Sequence, residues 1–158
     1  TALTTLAASV ARTGRPVALL PARPPTAVDP GVTVVALDDA PGLVTMRRAH
    51  PDLAVLVDDC ARVVGTPMAA VLREIARLVD EDCGMIAVAA TPRELSEGFR
   101  DLPGDVAGEG TGLALGRLEL AEQSLVGLDR PVWFDDLPGR GVLFRRGRAS
   151  QVQVAVVP

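Results

Sequence analysis

The chain has 158 residues, a net charge of −4 and a pI near 5.0, with 48% hydrophobic and only 3% aromatic residues. That hydrophobic share excludes a disordered chain, and the acidic balance disfavours a nucleic-acid binder, whose mark is a basic excess. The core has to be built from Val, Leu and Ala, and the length suits one domain, 1–158.

All 16 basic residues are Arg. We read this as coding bias, but it has a chemical result: no lysine of this chain can hold a phosphate or form a Schiff base. Cys60 and Cys83 are the two cysteines, far apart and without a nearby His, which makes neither a zinc site nor a disulfide framework. A reducing cytosol is the simplest compartment. No apolar run is as long as a membrane span, and no signal-peptide pattern is present.

Along the chain, Leu3, Leu6, Ala7 and Val10 recur at helical spacing over 1–13, with Gly14 suited to close the helix. No capping signal precedes it, so an upstream segment is expected to lead in. Residues 16–20 read as a short buried strand, 21–30 as a proline-rich loop, 32–37 as a second strand and 40–49 as a short helix. The run Leu53-Ala54-Val55-Leu56-Val57 suits a strand buried on both faces. Thr66 and Pro67 suit the cap and first turn of an amphipathic helix over 67–79. A strand over 85–89, a helix over 92–99 capped by Thr91, a loop over 101–110, a strand over 111–115 and a helix over 119–126 follow. The end, 139–157, alternates like a β-hairpin turning at Arg146-Gly147. Strands alternating with helices predict an α/β fold with a mostly parallel sheet flanked by helices, and the C-terminal β-hairpin is expected at one edge of that sheet.

The chemistry concentrates where the central strand ends in Asp58 and Asp59, because ligands of open α/β sheets bind at the carboxyl ends of the strands. Two readings fit. The pair could serve a bound Mg²⁺ and the water beside it, or one Asp could simply cap the next helical turn. Thr91 reads equally as a cap. His50, the one histidine, precedes a proline and suits a surface turn. Arg145, Arg146 and Arg148 suit a solvated hairpin that resists edge pairing, with a nucleic-acid patch as the lesser reading. Met68, Val71 and Leu72 lie on the apolar face of the 67–79 helix. They suit core packing, or a groove for a partner's amphipathic helix, for which an adaptable Met is apt.

Five stretches carry a resemblance. These are Thr1-Ala2-Leu3-Thr4-Thr5-Leu6-Ala7, the strand ending in Asp58-Asp59, Ile86-Ala87-Val88-Ala89-Ala90-Thr91, Thr111-Gly112-Leu113-Ala114-Leu115, and Leu137-Pro138-Gly139-Arg140-Gly141. Their order resembles the FtsK/SpoIIIE-type P-loop ATPases, nearest to the tandem ATPase domains of EccC, the actinobacterial type VII secretion motor. The first stretch is similar to the helix after a Walker A loop, the second to Walker B, the third to the sensor strand, and the last to the family's closing Pro-Gly-Arg-Gly segment. The Gly-rich phosphate loop itself is not in these residues, Asp59 stands where the family has a catalytic Glu, and Gly110 stands where related domains carry a basic residue.

The resemblance implies a RecA-like P-loop NTPase fold using ATP and Mg²⁺. Asp58 would be the metal-site and catalytic carboxylate and Asp59 the base. Thr1, Thr91 and Arg140 would be nucleotide contacts. It implies a degenerate site, and docking of the C-terminal signal of small helical WXG-class substrates such as EsxB, with Met68, Val71 and Leu72 as the expected pocket. It also implies sister ATPase domains, a possible hexameric ring, and a cytoplasmic place in a protein tethered to the inner membrane by other domains. The alternative it leaves open is an active ATP-hydrolysing translocase of protein or, against the charge, DNA.

Overall fold

A computed structural model describes residues 2–79, 83–97, 102–108, 111–115, 118–125, 140–145 and 148–153. The contacts divide into two compact units, 1–91 and 92–158. In the first, helix α1 (Ala2–Ala11) leads to strand β1 (Val17–Leu20) and strand β2 (Val32–Val34). Helix α2 (Ala40–Ala49), strand β3 (Ala54–Val57), a 3₁₀ turn (Cys60–Val63), helix α3 (Pro67–Leu78) and strand β4 (Met85–Val88) follow. All pairings are parallel and the order is β2-β1-β3-β4, so β3 lies between β1 and β4.

Burial follows from that position. Every residue of β1 and β3 is buried, which is why their sequences run apolar without alternating. Val17, Leu19, Ala54 and Leu56 meet Ala7 of α1, with Leu3, Leu6 and Val10 packed at the margin. The alternate residues Ala18, Leu20, Val55 and Val57 are also fully buried, and so buried too are Leu43 of α2 and Met68, Leu72 and Ile75 of α3, a helix that contacts both α2 and β4.

The local signals explain the helix ends. Asp39 caps α2 by accepting from the Gly42 amide at 2.9 Å, with Pro41 in the first turn. Gly14, at φ 85°, takes the left-handed conformation that ends α1. Thr66 occupies the cap position of α3, but its hydroxyl donates to the Val63 carbonyl at 2.6 Å and caps nothing. β2 stops at Val34, although the Val35 amide still donates to Leu19 at 2.9 Å. Arg15 reaches from the start of β1 to the carbonyls of Asp52 (2.6 Å) and Cys83, tying together the chain ahead of β3 and β4. On α3, exposed Glu74 and Arg77 pair at 2.7 Å, and the Arg77 hydrogen bond holds the Glu74 carboxyl below its usual range.

The second unit holds helices α4 (Pro92–Glu97), α5 (Leu102–Gly108) and α6 (Leu120–Leu125), with strands β5 (Thr111–Leu115), β6 (Arg140–Arg145) and β7 (Arg148–Gln153). Here the structure departs from the sequence reading twice. Residues 102–108 form a helix where a loop was expected, with Leu102 buried. The hairpin does not extend the parallel sheet. It pairs with β5 into a separate antiparallel sheet, β5-β6-β7. The reason is steric fit. Gly112 lies opposite Phe144, and a Cβ there would sit 2.7 Å from the ring's Cε2, so β5 offers the one residue type that lets the ring lie across it. The expected turn at Arg146-Gly147 and the segment before Arg140 lie outside the described residues.

Candidate functional site

The site is built by β3. Its last amides lock it between its neighbours: the Asp58 amide donates to Leu20 at 2.9 Å, Ala89 donates to Val57 at 2.8 Å, and the Cys60 amide donates to Ala89 at 3.1 Å. Asp58 and Asp59 therefore stand at the middle of the sheet's carboxyl edge, both half-buried. Asp59 is bent into the left-handed region at φ 58°, ψ 65°, which turns the chain abruptly from strand into the 3₁₀ turn.

The geometry bears on the capping reading of the pair. Asp59 holds the cap position of the 3₁₀ turn, yet its side chain makes no capping hydrogen bond. Neither carboxylate has a hydrogen bond or ion pair to a described residue. Capping therefore does not account for either Asp. A left-handed backbone at a non-glycine residue costs about 1–2 kcal/mol, somewhat less for Asp. Asp59→Gly is accordingly expected to stabilise the fold by about 0.5–1 kcal/mol in urea denaturation. No gain, or a loss, would mean that the carboxylate has a structural role after all.

Thr91 lies beyond the end of β4, the strand next to β3, and so at the same carboxyl edge as Asp58. It is exposed and directly precedes α4. Arg140 is the exposed first residue of β6, in the second unit. Thr1 lies outside the described residues. Among the described residues, no three His, Cys, Asp or Glu side chains gather closely enough to hold a metal by themselves, and no helix is long and apolar enough to cross a membrane.

A cleft of about 800 Å³ opens at the carboxyl ends of β1 and β2, and neither Asp58 nor Asp59 lines it. Pro21, Pro24, Pro25, the segment 34–38, Arg62, Thr66, Pro67 and Met68 line it. Arg62 donates to the Ala22 carbonyl, bracing the rim. Of the expected pocket residues, Met68 lines this cleft. Val71 is half-buried and Leu72 fully buried on α3, and neither lines it. Arg62 was not singled out from sequence; one arginine in an irregular stretch carries no signal there.

No family model matches the sequence, and no curated protein matches it. Two solved structures are similar in fold. One is the cytoplasmic domain of EssC, with a TM-score of 0.62 and 17% identity over 87% of this chain and 33% of that chain. The other is EssC, ATPases 2 and 3, from Geobacillus thermodenitrificans, with a TM-score of 0.59 and 18% identity over 87% of this chain and 30% of that one. The chain thus spans about a third of the length of the proteins it matches. What the two comparisons establish is a fold shared with the ATPase region of EssC.

Proposed function

We propose that this chain is an FtsK/SpoIIIE-type ATPase module of a type VII secretion motor, of the EccC kind. In this reading its nucleotide site is degenerate, and the module docks the helical C-terminal signal of small WXG-class substrates like EsxB. The observation that carries the reading is the Asp58-Asp59 pair: two half-buried carboxylates at the carboxyl edge of the central parallel strand, with no structural partner among the described residues. The fold shared with EssC supports it.

The donor set suits Mg²⁺, which keeps several waters and takes one or two carboxylates together with substrate phosphates. Asp58 would hold the metal's water shell, and Asp59 would orient the attacking water. Bound Mg²⁺ would supply charge neutralisation on the phosphates. Thr1 and Thr91 would contact the phosphate end of ATP, and Arg140 its base or ribose. The degenerate reading rests on Asp59 being shorter than the usual Glu. The apolar cleft beside Met68 would receive the substrate helix. Sister ATPase domains, a ring of subunits and tethering to the inner membrane complete the proposal.

The test is calorimetric titration of Mg-ATP into the full chain, beside Asp58→Ala. Micromolar binding that falls at least tenfold in the variant is expected if the pair serves the metal. Equal binding by both proteins removes Asp58 from the site. No binding by either leaves the docking role alone, which titration with a substrate's C-terminal peptide then decides. Steady phosphate release from the wild type would favour the active translocase instead.

A further inference from the structure

The β5-β6 part of the second unit's sheet carries apolar side chains on both faces. Its register puts Ala114, Val142 and Phe144 on one face, and all three are buried. The other face carries Leu113, Leu115 and Leu143, exposed by 44%, 46% and 44%. Leu113 and Leu143 are direct cross-strand partners, and Leu115 lies opposite Gly141, where a Cβ would come within 2.9 Å of its Cδ2. The three leucines therefore form one continuous patch. A sheet with side chains of this kind on both faces is the pattern of one that is covered twice.

Charge narrows what covers it. Arg145 and Arg148 are directly paired across β6 and β7, on the same face as the leucines. Like charges so placed repel, and neither arginine has an ion pair with a described carboxylate. No Asp or Glu occurs in the described residues of β5, β6 or β7. A second copy laid face to face would bring two more arginines and no carboxylate from these strands, so it would deepen the repulsion. A nucleic acid would meet the arginines but leave the leucines wet.

We propose that this face of the β5-β6-β7 sheet docks an amphipathic helix of a partner protein, one whose apolar stripe ends in carboxylates. The leucines take the stripe, and Arg145 and Arg148 take the acidic end. This surface belongs to the second unit, and the proposal does not depend on the ATPase reading.

The test uses the full chain and a panel of stapled, labelled helical peptides with a Leu stripe closed at one end by Glu or by Lys. Fluorescence anisotropy is expected to show binding of the Glu peptides and at least tenfold weaker binding of the Lys peptides. Leu113→Thr with Leu143→Thr should weaken the Glu peptides at least tenfold. Arg145→Glu with Arg148→Glu should reverse the preference, and since both arginines are exposed, this variant keeps the fold and serves as the control if the leucine variant does not. Failure of every peptide to bind overturns the proposal, as does unchanged preference after charge reversal. A concentration-dependent dimer broken by the leucine variant, or an oligonucleotide that binds more tightly than the peptides, overturns it in favour of self-association or nucleic acid.

Discussion

Leu56→Ala is expected to destabilise the protein by about 3–4 kcal/mol. Leu56 is fully buried at the centre of β3, registered against Leu19 on one side and Ala87 on the other, and it meets Ala7 of α1 in the core. The loss has two parts: the transfer free energy of the removed methyl and methylene groups, and the cavity they leave. The cavity cannot collapse easily, because β3 is hydrogen-bonded on both edges and cannot shift toward α1 without breaking two ladders. Urea denaturation followed by far-ultraviolet circular dichroism measures this directly. A loss below about 1 kcal/mol would mean that β3 is not the buried centre of the sheet.

Gly112→Val should cost about 2–3 kcal/mol, through overpacking instead of a cavity. The new branched side chain would occupy the space the Phe144 ring now fills. Phe144 is 7% exposed, so the ring has nowhere to go but out of the core. Phe144→Ala alone should cost about 3 kcal/mol. In the double variant the valine would find the vacated space, so the combined loss should fall short of the sum by about 1 kcal/mol or more. Strict additivity would show that the two residues do not share one site.

What was legible in the sequence depended on how local the cause was. The limits of α2 could be read because Asp39 and Pro41 act within a single turn. The parallel strands could be read because burial on both faces writes an unbroken apolar run. α5 could not: Leu-Pro-Gly-Asp-Val-Ala-Gly holds a proline and two glycines, and no propensity argument makes it a helix. The burial of Leu102 shows that tertiary packing overrides the preference there. The hairpin's placement was missed because its partner is chosen by the fit of Phe144 over Gly112, across a long stretch of chain. At the candidate site, the position of the Asp58-Asp59 pair was visible, since strand ends are. The left-handed turn at Asp59 was not, because aspartate fits both ordinary and left-handed backbone. The cleft was also hidden, since its lining comes from stretches far apart in the sequence.

The parallel ladder also governs how the chain finds its shape. No pair in the β2-β1-β3-β4 sheet can form as a hairpin: Val17 must meet Val32 across a proline-rich loop, and Ala54 must meet both Val17 and Met85 across helical connections. Each pairing has to overcome loop-closure entropy before it gains any burial. β6 and β7, by contrast, are joined by the shortest of connections and can zip locally. Until β3 is enclosed, its unbroken apolar run is the segment most exposed to wrong partners, which makes early docking of α1 over Leu56 a protection against aggregation as well as a source of stability.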